Sequence, residues 1–125
     1  MRLTTPQKKE LNNLLRQIIV LRDKEQCLRC PKTDKLAMSH IFPKGRYKRL
    51  QYDPDNLKFL CFACHIGWWH KNPIEAGEWI ESVLDKKRMD RLKFIAYQDR
   101  SMWNMDFNAE KLYLEQMIKK LKYVK

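Results

Sequence analysis

The chain has 125 residues, enough for one domain with a modest core. Its 26 Lys and Arg exceed its 15 Asp and Glu, and the formal net charge of +11 favours a polyanionic partner, nucleic acid first. The longest apolar runs fall short of the roughly 20 residues that cross a bilayer, which excludes a membrane-spanning protein.

The basic surplus lies mainly in the first half of the chain. Residues 1–62 carry 14 basic and 6 acidic side chains, whereas residues 63–125 carry 12 and 9. The first half is therefore the expected nucleic-acid face, although a merely well-solvated surface is the alternative. The start "MRLTTPQKKE" lacks the apolar core of a signal peptide, so we expect a cytoplasmic protein with reduced thiols.

The N-terminal segment predicts one helix, and the middle of the chain predicts two strands. Apolar residues recur at helical spacing over residues 6–23, with Thr5 as the expected N-cap and Pro6 in the first turn. Prolines, a glycine and Asp/Asn clusters then exclude a long helix. The runs "LAMSHIF" and "LKFLC" predict two strands joined by a long basic loop. A loop of that length in a compact domain is usually functional or disordered.

The C-terminal half predicts helices only. In "NPIEAGEWIESVL", Asn72 is the expected cap and Glu75 the partner of a capping box. Further helices are predicted over residues 86–98 and 108–123. We therefore divide a single domain, 1–125, into three parts: an amphipathic helix (6–23), a core (26–72) and a helical support (73–123).

The four cysteines form two CxxC pairs, Cys27 with Cys30 and Cys61 with Cys64. Each pair places two sulfurs on one tight turn, and two such turns together give the tetrahedral four-thiolate site that structural zinc prefers. A redox dithiol or simply buried thiols are the alternatives. Because a closed zinc site has no open position for chemistry, the histidines remain available for another role.

Three side chains that could take part in catalysis or metal binding lie between the two cysteine pairs and directly after the second. His40 lies in "SHIFPKG", Asn56 in "DPDNLKFLC", and His65 directly follows Cys64. The pattern "CLRC…SHIFPKG…DPDNLKFLCFACH" resembles the HNH nuclease motif in its zinc-stapled form. Residues 27–70 resemble phage-encoded HNH proteins of the NinG (Rap) recombination-endonuclease type.

The resemblance implies a ββα-metal (His-Me finger) core. Together with the N- and C-terminal helices predicted from the sequence pattern, this gives an α+β fold. The resemblance also implies that His40 is the general base that takes a proton from water, a task suited to a neutral imidazole. Asn56 would position the loop and offer its amide oxygen to a catalytic Mg²⁺ or Mn²⁺. His65 would be a ligand of that ion.

Two positions depart from the family pattern. Many HNH proteins carry Asp or His directly before the catalytic histidine, where this chain has Ser39. Related nucleases place a second ligand four residues after the first, whereas His70 follows His65 by five. Five residues turn an α-helix by about 500°, or 140° net, so the two rings are expected to face different ways unless Gly67 breaks the helix. His70 is therefore the weaker ligand candidate.

The basic loop is the expected DNA-binding surface, and its phosphate contacts would carry little sequence specificity. Trp68 and Trp69 either stack on unpaired bases or pack in the core beneath the zinc site. The resemblance adds branched or junction DNA as a substrate, and a two-strand cut would favour a homodimer. The expected phosphate-binding residues are Lys44, Arg46, Lys48 and Arg49.

These observations together predict a metal-dependent HNH endonuclease that hydrolyses DNA phosphodiesters, with structural zinc, in the host cytoplasm if the chain is phage-encoded. The first alternative is a non-catalytic zinc-ribbon module that binds DNA, in which Ser39 marks the loss of the catalytic metal. The second is an accessory protein whose helical half docks a phage replication or packaging partner.

Overall fold

The computed structural model describes residues 2–98 and 104–123, which form a mixed arrangement of helices and two strands. No helix within these ranges has the length and apolar character needed to cross a membrane. In chain order the elements are α1 (Thr5–Asp23), β1 (Leu36–His40), β2 (Leu57–Cys61), α2 (Phe62–Cys64), a π-helical turn (His65–Trp69), α3 (Pro73–Val83), α4 (Lys86–Ala96) and α5 (Phe107–Tyr123).

Helix α1 confirms the predicted N-terminal helix, but it begins one residue earlier. Thr4, not Thr5, is the N-cap: its hydroxyl accepts from the Gln7 backbone N–H at 3.2 Å, and the Gln7 side chain accepts from the Thr4 N–H at 2.9 Å. This reciprocal pair satisfies two amide groups that the first turn would otherwise leave unbonded. The apolar face of α1 then packs against α5 and the hairpin, in a core that includes Leu11, Leu15, Ile18, Phe59, Leu114 and Ile118.

The two predicted strands pair as an antiparallel hairpin. Leu36 lies opposite Cys61, and His40 lies opposite Leu57. One further backbone bond, from Ile41 N–H to Asn56 O at 2.8 Å, closes the base of the loop 41–56. The hairpin thereby places the end of β1 and the start of β2 side by side, with the basic loop projecting beyond them.

The C-terminal helices form near the predicted positions, but the predicted capping box of α3 is wrong. The Asn72 side chain makes no capping bond, and the Glu75 carboxylate instead accepts from Trp68 Nε1 at 2.9 Å. Glu75 thus fixes a tryptophan of the π-helical turn and does not bond its own helix end. Helix α4 ends at Ala96, two residues before the predicted end, and residues 99–103 lie outside the described part of the chain.

Candidate active site and metal centre

The four cysteines meet at one point between the start of the hairpin and α2. Their sulfur atoms all lie within 4.8 Å of one another, and Cys30 Sγ lies 3.6 Å from Cys61 Sγ. Thiolates arranged tetrahedrally around zinc are separated by about 3.8 Å, given Zn–S bonds of about 2.3 Å. The structure therefore brings together the quartet that the sequence predicted, and it could hold a metal such as zinc.

A guanidinium group that the sequence reasoning missed lies beside this cluster. Arg29 donates to Cys64 Sγ at 3.6 Å and lies 3.8 Å from the centre of the Trp68 ring. Burial raises the pKa of the Cys64 thiol to about 12, while a hydrogen bond from the Cys64 backbone N–H lowers the pKa of Cys61 to about 7. Metal binding at the cluster must therefore release protons, and Arg29 offsets part of the negative charge that results.

His40 ends β1 in a fixed orientation. Its Nε2 lies 3.0 Å from the carbonyl oxygen of Gln51. Because a carbonyl only accepts, Nε2 must carry the proton, and Nδ1 of the neutral ring keeps its lone pair. Burial, opposed by the bond to Gln51 and reinforced by Lys44, lowers the pKa of His40 below its usual value of 6.5. The imidazole is thus neutral at physiological pH and oriented as a base requires.

The π-helical turn brings His65 and His70 together, contrary to the expectation from α-helical geometry. The His70 N–H donates to His65 O at 3.1 Å, an i to i+5 bond that widens the turn by one residue. Residues five apart therefore lie one above the other: the ring centres are 4.5 Å apart and the two Nε2 atoms 2.9 Å apart. Burial first, and then His70, lowers the pKa of His65, which favours the neutral ring that a metal ligand needs.

One cavity of about 660 Å³ contains all three histidines. Lys44 and Gly45 of the basic loop border it on one side, and α3 borders it on another. No acidic side chain is present among the described residues that line it. The remaining lining is mostly apolar: Met38, Ile41, Pro43, Trp69, Pro73, Ala76, Gly77 and Ile80.

This arrangement of a paired hairpin, a cysteine cluster and three histidines has a counterpart among known protein families. Residues 27–67 match the HNH endonuclease family model. The match covers about a third of the chain and indicates a nuclease that acts on DNA. It ends before His70, so the pairing of that residue with His65 is a finding of the structure. Comparisons with curated proteins and with solved structures gave no match.

Within the HNH segment, Asn56 does not join the histidines. It is fully buried, and its amide oxygen accepts from the Phe42 backbone N–H at 2.8 Å. Its Nδ2 donates to Phe42 O and to Leu50 O, both at 3.0 Å. All these bonds run to the loop 41–56, so the geometry agrees with the loop-positioning role. The expectation that Asn56 ligates the catalytic ion disagrees with the structure, because its oxygen faces the loop backbone and does not line the cavity.

Three arginines that the sequence reasoning missed hold the turn before β2. Arg22 of α1 and Arg88 of α4 both donate to Leu57 O, at 2.8 and 3.1 Å. Arg91 pairs with the carboxylates of Asp53 and Asp55 at 2.8 and 3.1 Å. The two aspartates therefore form the turn and anchor it to α4, and neither lines the histidine cavity.

The basic residues of the loop differ in their surroundings. Lys44 is exposed at the edge of the cavity, and Arg46 and Lys48 are exposed further along the loop. The Arg46 guanidinium lies over the Tyr47 ring at 5.5 Å. Arg49 instead donates to Gln98 Oε1 at 2.6 Å, which connects the loop to the end of α4.

Two buried polar side chains face each other across the hairpin without a hydrogen-bond partner. Ser39 and Lys58 are cross-strand neighbours, each about 1% exposed, and neither the hydroxyl nor the ammonium group is bonded. Lys58 Nζ lies 3.4 Å from the centre of the Trp69 ring, and burial lowers its pKa to about 6. Trp68 is buried, and the half-buried Trp69 packs against the cysteine cluster, which confirms the core-packing alternative for at least one tryptophan.

Proposed function

We propose that this protein is a metal-dependent HNH endonuclease that hydrolyses DNA phosphodiesters, with His40 as the general base. One observation carries the proposal: His40 and the pair His65 and His70 face the same cavity. The family match over residues 27–67 supports the same reaction class. We treat residues 1–125 as one domain, with the hairpin and its following turn as the ββα-metal core.

In this proposal, His40 Nδ1 takes a proton from a water molecule. The water oxygen then bonds to phosphorus as the bond from phosphorus to the leaving oxygen breaks. Gln51 fixes the ring, because its carbonyl oxygen holds the Nε2 proton at 3.0 Å. Lys44, at the edge of the same cavity, is positioned to bind a phosphate oxygen of the strand.

His65 and His70 would hold the catalytic ion, Mg²⁺ or Mn²⁺, through their Nε2 atoms. The two Nε2 atoms lie 2.9 Å apart, close enough to serve one ion together. Such an ion would neutralise charge on the phosphate and stabilise the departing oxygen. Zinc at Cys27, Cys30, Cys61 and Cys64 would hold the fold without taking part in the reaction.

Several finer features remain part of the proposal. Basic residues of the loop would bind backbone phosphates with little sequence preference. The NinG resemblance motivates tests on flap and four-way junction DNA, on a phage recombination role in the host cytoplasm, and on a homodimer if both strands are cut.

A non-catalytic DNA-binding module is the second candidate. It is favoured by the lining of the cavity, which among the described residues offers two ligand histidines and no carboxylate. The buried Ser39 also adds no ligand to the cavity, where many HNH proteins carry Asp or His.

Nicking of supercoiled plasmid in Mg²⁺ or Mn²⁺ distinguishes the two candidates. Wild-type protein should nick the plasmid, and His40→Ala should bind DNA normally but nick at least 100-fold more slowly, as expected for loss of a general base. Because burial lowers the pKa of His40, the wild-type rate should persist on acidification until the pH is below 6.5. Binding without nicking by both proteins would establish the module.

A further inference from the structure

The histidine cavity has a second wall that the hydrolysis of a phosphodiester does not use. With about 660 Å³, it lies in the size range of pockets that enclose whole small-molecule ligands. A metal ion, a water molecule and one phosphate group would occupy only the side near the histidines. The rest of the lining is apolar, and we call it the apolar wall: Pro73, Ala76 and Ile80 belong to α3, and Met38, Ile41 and Trp69 lie in or next to the elements that carry the histidines.

The two walls together define the chemistry of the occupant. Lys44 attracts an anion, and no acidic side chain of the described residues lines the cavity to repel one. The apolar wall favours a group with apolar faces, since covering this surface removes it from water. A nucleotide has both properties, because it carries a charged phosphate at one end and a flat base at the other.

In an intact duplex, however, each base is stacked between its neighbours and presents only its edges in the grooves. A base can place its faces against a protein wall only if it is unpaired or has been extruded from the helix. Trp69 offers an aromatic ring at this wall, and its position is fixed by Lys58 Nζ, 3.4 Å from the ring centre, and by Trp79.

We propose that the apolar wall binds the base of an unpaired nucleotide beside the scissile phosphate, so that DNA with a bulged nucleotide binds more tightly than a fully paired duplex. The inference rests on the proposed function only in assigning the phosphate to the histidine side of the cavity.

Gly77 provides a way to fill the apolar side without touching a histidine. It lies on α3 at the cavity, and a Cβ added there meets no atom within 4 Å. Gly77→Leu should therefore fold and extend a side chain into the space that the base would occupy. Glu78→Leu is the matched control, because position 78 is on the same helix, is exposed and does not line the cavity.

The experiment measures binding in buffer without added Mg²⁺, Mn²⁺ or chelator, so that no strand is cut and metal at the cysteine cluster is retained. The probes are two short duplexes, one with a single bulged 2-aminopurine and one with the same base paired. Wild-type protein should bind the bulged duplex about 10-fold more tightly, a difference of about 1.4 kcal/mol, as base stacking on aromatic residues supplies. Gly77→Leu should lose this preference and keep its affinity for the paired duplex, whereas Glu78→Leu should match the wild type.

Equal affinity of the wild-type protein for both duplexes would overturn the inference, and this comparison requires no variant. An equal loss of affinity for both duplexes in a folded Gly77→Leu protein would overturn it as well. Because binding is measured without the catalytic ion, Mg²⁺ or Mn²⁺, the result is independent of the nuclease proposal. A protein that prefers the bulge but never nicks DNA would refute only the proposed hydrolysis.

Discussion

Replacing Asn56 by Asp separates a loop-positioning role from a metal-ligating role, because the two side chains have the same shape. The amide oxygen of Asn56 accepts from Phe42 N–H at 2.8 Å, and an aspartate oxygen can do the same. The Nδ2 group, however, donates to Phe42 O and Leu50 O, both at 3.0 Å. In the variant an oxygen replaces this donor and faces two carbonyl oxygens.

The cost follows from these contacts. Each buried carbonyl left without a donor costs about 1–3 kcal/mol, and a carboxylate at a fully buried position adds its own desolvation. A protonated carboxyl restores one of the two bonds, so the pKa of the new group must rise above the ordinary value of about 3.9. The net loss of unfolding free energy at neutral pH should be roughly 3–5 kcal/mol, or roughly 10–20 °C in Tm. The loss should shrink as the pH falls towards the raised pKa and the carboxyl protonates.

Thermal unfolding followed by circular dichroism at neutral and mildly acidic pH measures this cost. Calorimetric titration with Mn²⁺ measures the alternative role, since a carboxylate is a better ligand than an amide for such an ion. Asn13→Asp is the control, because Asn13 is exposed on α1 and undergoes the same change in charge. If Asn56→Asp unfolds at the wild-type temperature and binds Mn²⁺ more tightly, Asn56 is a ligand and the loop argument fails.

Two further predictions concern groups at the periphery of the cavity. Because burial lowers the pKa of Lys58 from 10.5 to about 6, the unfolded chain binds an extra proton between these values, and stability should rise with pH there by up to about 1.4 kcal/mol per unit. In urea titrations Lys58→Met should abolish this slope and stabilise the protein by roughly 3–5 kcal/mol at neutral pH, where the buried amine is already uncharged. An unchanged slope would contradict the assignment. Purified protein should contain one zinc per chain. A chelator should remove this zinc and lower the Tm by more than 10 °C, and addition of zinc, but not of magnesium, should restore the Tm. Full stability without zinc would show that the cluster is not a structural site.

Local rules were sufficient for most of the secondary structure and for the cysteine cluster. The apolar period of residues 6–23 predicted α1, and the run "LKFLC" predicted β2 with its observed bounds. The two CxxC turns could be assigned to one site because each turn fixes its own pair of sulfurs, and zinc chemistry requires four. These features depend on residues that are close in sequence or on a strong chemical constraint.

The pairing of His65 with His70 could not be obtained from α-helical periodicity. It depends on one extra residue in the turn, which changes the direction of every following side chain by about 100° relative to an α-helix. Two histidines five apart, directly after a cysteine of the candidate metal cluster, are the sequence signal that would have indicated this turn. The arginines that hold the turn at Asp53 and Asp55 gave no such signal, because their partners lie 31 to 38 residues away.

The geometry of the cavity depends on supports that do not line it. On one side, Cys64 directly precedes His65, so a metal held by the cysteines would fix the start of the turn that brings together His65 and His70, the proposed ligands. On the other side, Asn56 fixes the loop that presents Gln51 O to His40. Loss of either support should therefore misalign His40 and the pair His65 and His70, although the substitution changes no residue that lines the cavity. Variants of Cys61 and Asn56 are accordingly expected to lose nicking activity before they lose affinity for DNA, because the basic side chains of Lys44 and Lys48 are exposed on the loop.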